Sequence, residues 1–231
     1  MKQFPDKTST DHILLIDKPL TWTSFDVVKR LRSITKIKKI GHAGTLDPLA
    51  TGLLIVCSGK NTKKIDGIMG TEKEYTGTIT LGYTTASYDL ESEPEYAGDI
   101  SNITQQDIYH TLQSFLGSIE QVPPAHSAIK INGKRAYEEA RQGNEVVLKA
   151  RTVFIRSFEI TRIELPEVDF KIRCSKGTYI RSIANDFGKQ LGCGGYLSKL
   201  RRTAIGTFRV ENALQIDELA EFYKQTDAAS L

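Results

Sequence analysis

A chain of 231 residues, 39% apolar and 26% charged, can form one large globular domain or a domain carrying an insertion, and its composition excludes wholesale disorder. No stretch approaches the roughly 20 apolar residues needed to cross a bilayer, and residues 1–11 are polar with no apolar leader core, so a cytoplasmic protein is expected. The net charge of +3 is modest but segregated: Lys29, Arg30, Arg32, Lys36, Lys38 and Lys39 form one basic cluster, Lys199, Arg201, Arg202 and Arg209 another, and Asp89, Glu91, Glu93, Glu95 and Asp99 an acidic run. If the basic clusters share a face they form a track for a phosphate backbone, with the acidic run lying away from it; ordinary solvated helix faces are the alternative.

In chain order, residues 12–17 read as a short buried strand halted by Lys18 and Pro19. A helix follows, with Thr23 as N-cap, Asp26 three residues on, and Val27, Val28, Leu31 and Ile34 on one face. A glycine-punctuated loop, 41–52, leads into an apolar strand over 53–57. Residues 73–82 alternate with period two, which puts Tyr75, Gly77, Ile79 and Leu81 on one strand face. Residues 84–99 read as a long acidic surface loop, followed by a helix capped by Thr104 and ending at Gly117. Residues 123–143 begin with Pro-Pro, carry several basic residues and resemble an insertion with a surface task. Strands are expected over 152–163 and 168–174, a helix from Ile180 to Leu191, a last strand over 203–210 and a terminal helix over 216–223. Strands in runs with interspersed helices favour a mixed α+β sheet over a regular βα alternation. Cys57, Cys174 and Cys193 are far apart, without a C-x-x-C pair, and read as buried apolar residues rather than disulfide or zinc ligands.

The densest chemical signal is Gly41-His-Ala-Gly-Thr-Leu-Asp-Pro-Leu-Ala-Thr-Gly52, in which three glycines, a proline and one acid lie between a basic helix and an apolar strand. Such a loop lets backbone approach a ligand and holds Asp47 at the mouth of a sheet. It lacks the Gly-Lys-Ser/Thr ending of a phosphate-binding Walker loop, and a metal held by His42 and Asp47 would want further ligands nearby. A purely structural Asx turn at Asp47 before Pro48 is the remaining alternative.

This run resembles the G-H-x-G-T-L-D-P-x-A-x-G signature of the TruB-type pseudouridine synthases, which modify the uridine at position 55 in the T-loop of tRNA. The resemblance continues through Asp17-Lys-Pro19 with Thr23-Ser24, Lys73-Glu-Tyr75 leading to Leu81-Gly82, Pro123-Pro124 with Ser127-Ala-Ile-Lys130 and Gly133-Lys-Arg135, Gly177-Thr-Tyr-Ile-Arg181, and Leu200-Arg-Arg-Thr203. It implies the pseudouridine-synthase fold, with a central mixed or antiparallel sheet and one catalytic domain over 1–231. It also implies a thumb-like RNA-binding insertion at about 123–150, and no separate C-terminal PUA domain is expected.

Carried over by position, the resemblance makes Asp47 the carboxylate that attacks a flipped uridine, at the sugar or at the base, and Arg181 the cation that pairs with it. Tyr75 would stack on the uracil and assist proton transfer at C5. His42 would occupy the space left by the flipped base, and Tyr179 and Leu200 would wall the pocket. Lys18 and Pro19 match a supporting motif beneath the loop, where the implied role is structural rather than catalytic, and Lys18 is also counted, with Lys130, Lys134, Arg135 and Arg202, among the RNA-binding residues. Ala125-His126 stands where the family pattern has a bulkier pair, which leaves the local thumb contacts open. No metal or other cofactor is implied. The expected partner is the T-arm of tRNA, bound by a monomer without guide RNA. The competing readings are an RNA-binding protein without catalysis and a hydrolase in which Asp47 activates water.

Overall fold

The computed structural model describes residues 2–127, 129–131, 133–142, 144 and 146–227. The chain opens with β1 (Ile13–Lys18), whose alternate residues Leu14, Ile16 and Lys18 are buried. Helix α1 (Ser24–Thr35) begins with a reciprocal capping box between Thr23 and Asp26, buries Val27, Val28 and Leu31, and ends at Lys36 in the left-handed region. Then come β2 (Ile40–His42), β3 (Ala50–Ser58), the short α2 (Ile65–Met69) and β4 (Lys73–Leu81). The pair β5 (Tyr83–Thr84) and β6 (Glu95–Tyr96) precedes α3 (Gln105–Gln113), capped by Thr104 and Asp107, and β7 (Gly117–Gln121). Within the expected insertion lie β8 (Lys130–Ile131), β9 (Lys134–Arg135) and α4 (Ala136–Arg141). The chain continues through β10 (Arg151–Glu164), β11 (Glu167–Cys174), α5 (Ile180–Gln190), β12 (Gly195–Ile205), β13 (Phe208–Arg209) and α6 (Ile216–Asp227).

Four expectations change, the first being that the helix expected to end at Gly117 stops at Gln113, while Gly117 opens β7. The glycine-rich loop shrinks to 43–49, because Gly41 and His42 pair with Cys57 and Val56 while Ala50 already belongs to β3. The single strand expected over 203–210 is a hairpin, in which 203–205 end β12 and Phe208–Arg209 return antiparallel as β13; β12 itself begins at Gly195, and its polar middle, Ser198 to Arg202, carries no apolar alternation to betray it. The acidic stretch after Thr84 holds the β5–β6 ladder, and Asp89 within it is buried rather than directed at solvent.

The chain divides into two compact units, Met1–Tyr75 with Leu200–Leu231, and Thr76–Lys199, so β4 and β12 each contribute residues to both. In the first unit β3 pairs antiparallel with β1, from Ile13 opposite Cys57 to Lys18 opposite Gly52, and parallel with β12, from Leu200 opposite Ala50 to Arg202 opposite Gly52. The sheet is therefore mixed. Leu54 and Val56 of β3 join Val27, Val28 and Leu31 of α1 and Ile216 and Leu219 of α6 in one core. Leu53, Ile55 and Cys57 point the other way, onto Ala43, Ile205 and Val210. Burial of both faces is why β3 reads as an unbroken apolar run.

In the second unit the strand order is β4, β11, β10, β7, with β10 antiparallel to both neighbours. Its core centres on Phe158, whose ring lies 6.1 Å from Phe115, 5.7 Å from Phe170 and 6.0 Å from Phe187, in edge-on contacts.

Candidate active site

Asp47 sits in the 43–49 loop between β2 and β3, and the backbone of that loop is anchored carbonyl by carbonyl. The Arg202 guanidinium donates to the carbonyls of Gly44 at 3.1 Å and Thr45 at 3.2 Å, and its Nε to that of Leu53 at 2.8 Å. The Ser24 hydroxyl donates to the Leu46 carbonyl and accepts from the Leu46 amide, binding the start of α1 to the loop. The Asp47 carbonyl accepts from the Ala50 amide at 3.1 Å. The Pro48 carbonyl accepts from the Thr21 amide at 2.9 Å and from Lys18 Nζ at 3.2 Å. Five consecutive carbonyls, 44–48, are thus held while the Asp47 side chain stays partly exposed. Fixing the backbone on every side of one carboxylate suits a group that must be aimed.

Arg202, expected at the RNA surface, is instead a buried support of this loop, and Lys18, expected beneath the loop and also counted among the RNA-binding cations, takes the supporting place. Arg202 is 1% exposed and Lys18 is fully buried, so neither presents charge to a phosphate. Lys18 Nζ spends its donors on the carbonyls of Pro19, Trp22 and Pro48. Burial pulls its pKa down to about 8, partly opposed by the Asp47 carboxylate. Burial also lowers the Arg202 pKa, while a hydrogen bond from its guanidinium to the Tyr75 side chain and the charge of Asp47 favour the cation. Tyr75, on β4 and only 9% exposed, is thereby tied to the same arginine that grips the loop.

His42 closes β2 opposite Val56, half-buried. Burial, reinforced by the Arg202 charge, lowers its pKa and favours the neutral imidazole. Leu200 pairs with Ala50, where the loop enters β3, and is likewise half-buried. The first unit thus gathers Asp47, His42, Tyr75, Lys18, Leu200 and Arg202. The rest of the second basic cluster is also engaged: Arg201 makes a two-pronged pair with Asp17, Lys199 meets Glu167, and Arg209 donates to the carbonyls of Gly206 and Phe208.

Arg181 and Tyr179 belong to the second unit, at the start of α5. Arg181 is 4% exposed and donates to the carbonyls of Ser87 at 3.1 Å and His126 at 3.0 Å, with Asp89 Oδ2 at 3.5 Å from its Nε. Asp89 in turn accepts from the Ser87 hydroxyl and the Glu91 amide. The Tyr179 backbone is clamped by Gln121, which accepts from its amide at 2.8 Å and donates to its carbonyl at 3.1 Å, while the Arg151 guanidinium stacks 4.7 Å from its ring centroid. Sequence reasoning missed Asp89, Gln121 and Arg151 as supports. Only the Ser87-x-Asp89 pattern, which matches a local turn, was available as a signal, and that pattern is common in loops. The side chains of Lys130, Lys134 and Arg135 lie outside the described residues, although their backbones form the β8–β9 ladder.

Residues 32–180 match the TruB family pseudouridylate synthase N-terminal domain, and residues 181–231 the tRNA pseudouridylate synthase B C-terminal domain. Among curated relatives, tRNA pseudouridine synthase B of Flavobacterium johnsoniae is 52% identical over 219 residues, which cover 92% of this chain and 96% of the relative. That of Chloroherpeton thalassium is 50% identical over 221 residues, 94% and 92% of the two chains. Among solved structures, a Cbf5-Nop10-Gar1 complex superposes with a TM-score of 0.76 at 29% identity, covering 96% of this chain and 57% of that one. An H/ACA RNP bound to a substrate RNA containing 2'-deoxyuridine gives 0.72 at 26%, covering 96% and 56%.

Proposed function

Because the chain belongs to the TruB family of pseudouridylate synthases, we propose that it isomerises the uridine at position 55 of tRNA to pseudouridine, with Asp47 as the catalytic carboxylate. The reaction breaks the bond from ribose C1′ to uracil N1, forms one from C1′ to C5, and exchanges the C5 hydrogen for a proton on N1. Product and substrate hold the same atoms, so neither oxidant nor group donor is consumed. Asp47 supplies the nucleophile at C1′, and its departure when C5 attacks restores the free carboxylate. Tyr75 provides the aromatic platform for the extruded uracil and the route for the C5 proton. A stacked base is stabilised by roughly 1 to 3 kcal/mol, comparable with the cost of flipping it. Neutral His42 fills the space the base leaves, and Arg181 is the cation of the reaction. The enzyme acts as a monomer in the cytoplasm, on the T-arm and without a guide RNA; among the described residues no helix is long and apolar enough to cross a membrane.

The observation that carries this reading is the Asp47 loop, with every carbonyl from 44 to 48 anchored and the acid left accessible. It is tested by tritium release from T-arm RNA labelled at uracil C5. Wild-type protein is expected to release tritium at one loop uridine, and Asp47→Ala to bind the RNA with similar affinity but release none. Binding without release by the wild type would instead support a non-catalytic RNA-binding protein, and free uracil a hydrolase.

A further inference from the structure

Of the two basic clusters, the one over 199–209 is consumed internally by Glu167, Asp17 and backbone carbonyls. The other is not. Lys29, Arg30, Lys36, Lys38 and Lys39 are all exposed, and among the described residues no ion pair engages them. Part of this cluster lines an open groove of about 570 Å³, formed by Thr21, Trp22, Asp26, Lys29, Arg30 and Ser33. Asp26, Lys29, Arg30 and Ser33 recur at helical spacing, so α1 presents one continuous face to the groove. Its other wall, the 19–22 turn, is bonded to the catalytic loop through the Thr21 amide and the Pro48 carbonyl. Leu20 and Phe25, 54% and 61% exposed, flank it as unburied apolar surface.

The lining combines two adjacent cations, two hydroxyls, an indole and a single acid. Asp26, that acid, has its Oδ2 taken by the Thr23 amide and hydroxyl. Cations beside an aromatic face suit a phosphodiester with its sugar or base, and the exposed positive charge of α1 attracts the dense charge of a nucleic-acid backbone more strongly than it attracts a protein surface of mixed charge. We propose that this groove is a second RNA contact, holding two successive phosphates of the substrate strand against Lys29 and Arg30 with a ribose or base against Trp22. The proposal rests on the tRNA-modifying reading above and extends the bound surface along α1, away from Asp47.

Trp22 is the chain's single tryptophan, so its emission reports on this groove. The test compares wild type with Lys29→Glu/Arg30→Glu on intact tRNA, measuring kcat and KM across a salt series and tryptophan emission on binding. Loss of two phosphate contacts is expected to make the salt dependence of KM shallower by about two in log–log slope. The increase in KM between 50 and 200 mM salt then shrinks roughly tenfold. kcat at saturating tRNA should hold, which separates lost binding from a damaged site. In the wild type, tRNA should quench Trp22 emission. An unchanged salt slope in the double variant overturns the proposal, as does unaltered emission when active enzyme binds tRNA. Absence of turnover by the wild type would instead strike the functional reading itself, so the two failures are distinguishable.

Discussion

Arg202 is buried beneath the loop that carries Asp47 and holds that loop's backbone rather than facing solvent. Its guanidinium satisfies the carbonyls of Gly44, Thr45 and Leu53 and bonds the Tyr75 side chain, all within a buried space. Arg202→Met strips those carbonyls of their donors, and removing one member of such a buried network costs on the order of 3 kcal/mol. Urea unfolding should show that loss, and residual folded protein should lose kcat more than RNA affinity, because the loop that aims Asp47 relaxes. Lys18 makes a separate prediction through pH. Native Lys18 releases its proton near pH 8, whereas in the unfolded chain it does so near its ordinary value of 10.5. Between those values the unfolded state carries the extra proton, so this group makes stability rise with pH from about 8 upward and contributes no slope below. The stability of wild type relative to Lys18→Met should therefore grow between pH 8 and 10; a gap that narrows would contradict the burial of a cation there. Arg202 was counted in sequence as an RNA-binding cation, and Lys18 both as that and as a support beneath the loop, since a basic residue in a motif gives no sign of which way it points.

Among the elements, the contact between β3 and β12 sets the loop. Gly52 lies opposite Arg202 with φ of +99°, and a Cβ there would overlap the Arg202 carbonyl oxygen and come within 2.8 Å of its amide nitrogen. Both the dihedral and the closeness of the facing backbone exclude a side chain. Gly52→Ala is expected to destabilise by several kcal/mol, read as a lowered urea midpoint, and to impair turnover because Arg202 moves with its strand; a midpoint unchanged within error would refute that account. Helix α1, β4, β10, β11 and α5 were legible because caps and periodicity are local signals. The first half of β12 was not. Ser198, Lys199, Arg201 and Arg202 read as a polar surface stretch, and only pairing with β3 reveals them as a strand.

For the molecule as a whole, an isomerisation that conserves every atom predicts activity independent of added reagents. Protein dialysed against a strong chelator and freed of nucleotides should retain full tritium release from T-arm RNA, and activity restored only by a metal would refute the proposed chemistry. Length, the capped helices and the G-H-x-G-T-L-D-P run sufficed to place the chain in its family and to single out Asp47, because those features are local and the motif is long. Tertiary structure alone decided the fate of the charges. It turned Arg202 and Lys18 into internal anchors, gave Arg181 a buried acid in Asp89, and left Lys29 and Arg30 of α1 facing an open groove. The physical reason is that a charge costs free energy to bury unless partners far away in sequence surround it, and only the folded chain brings those partners together.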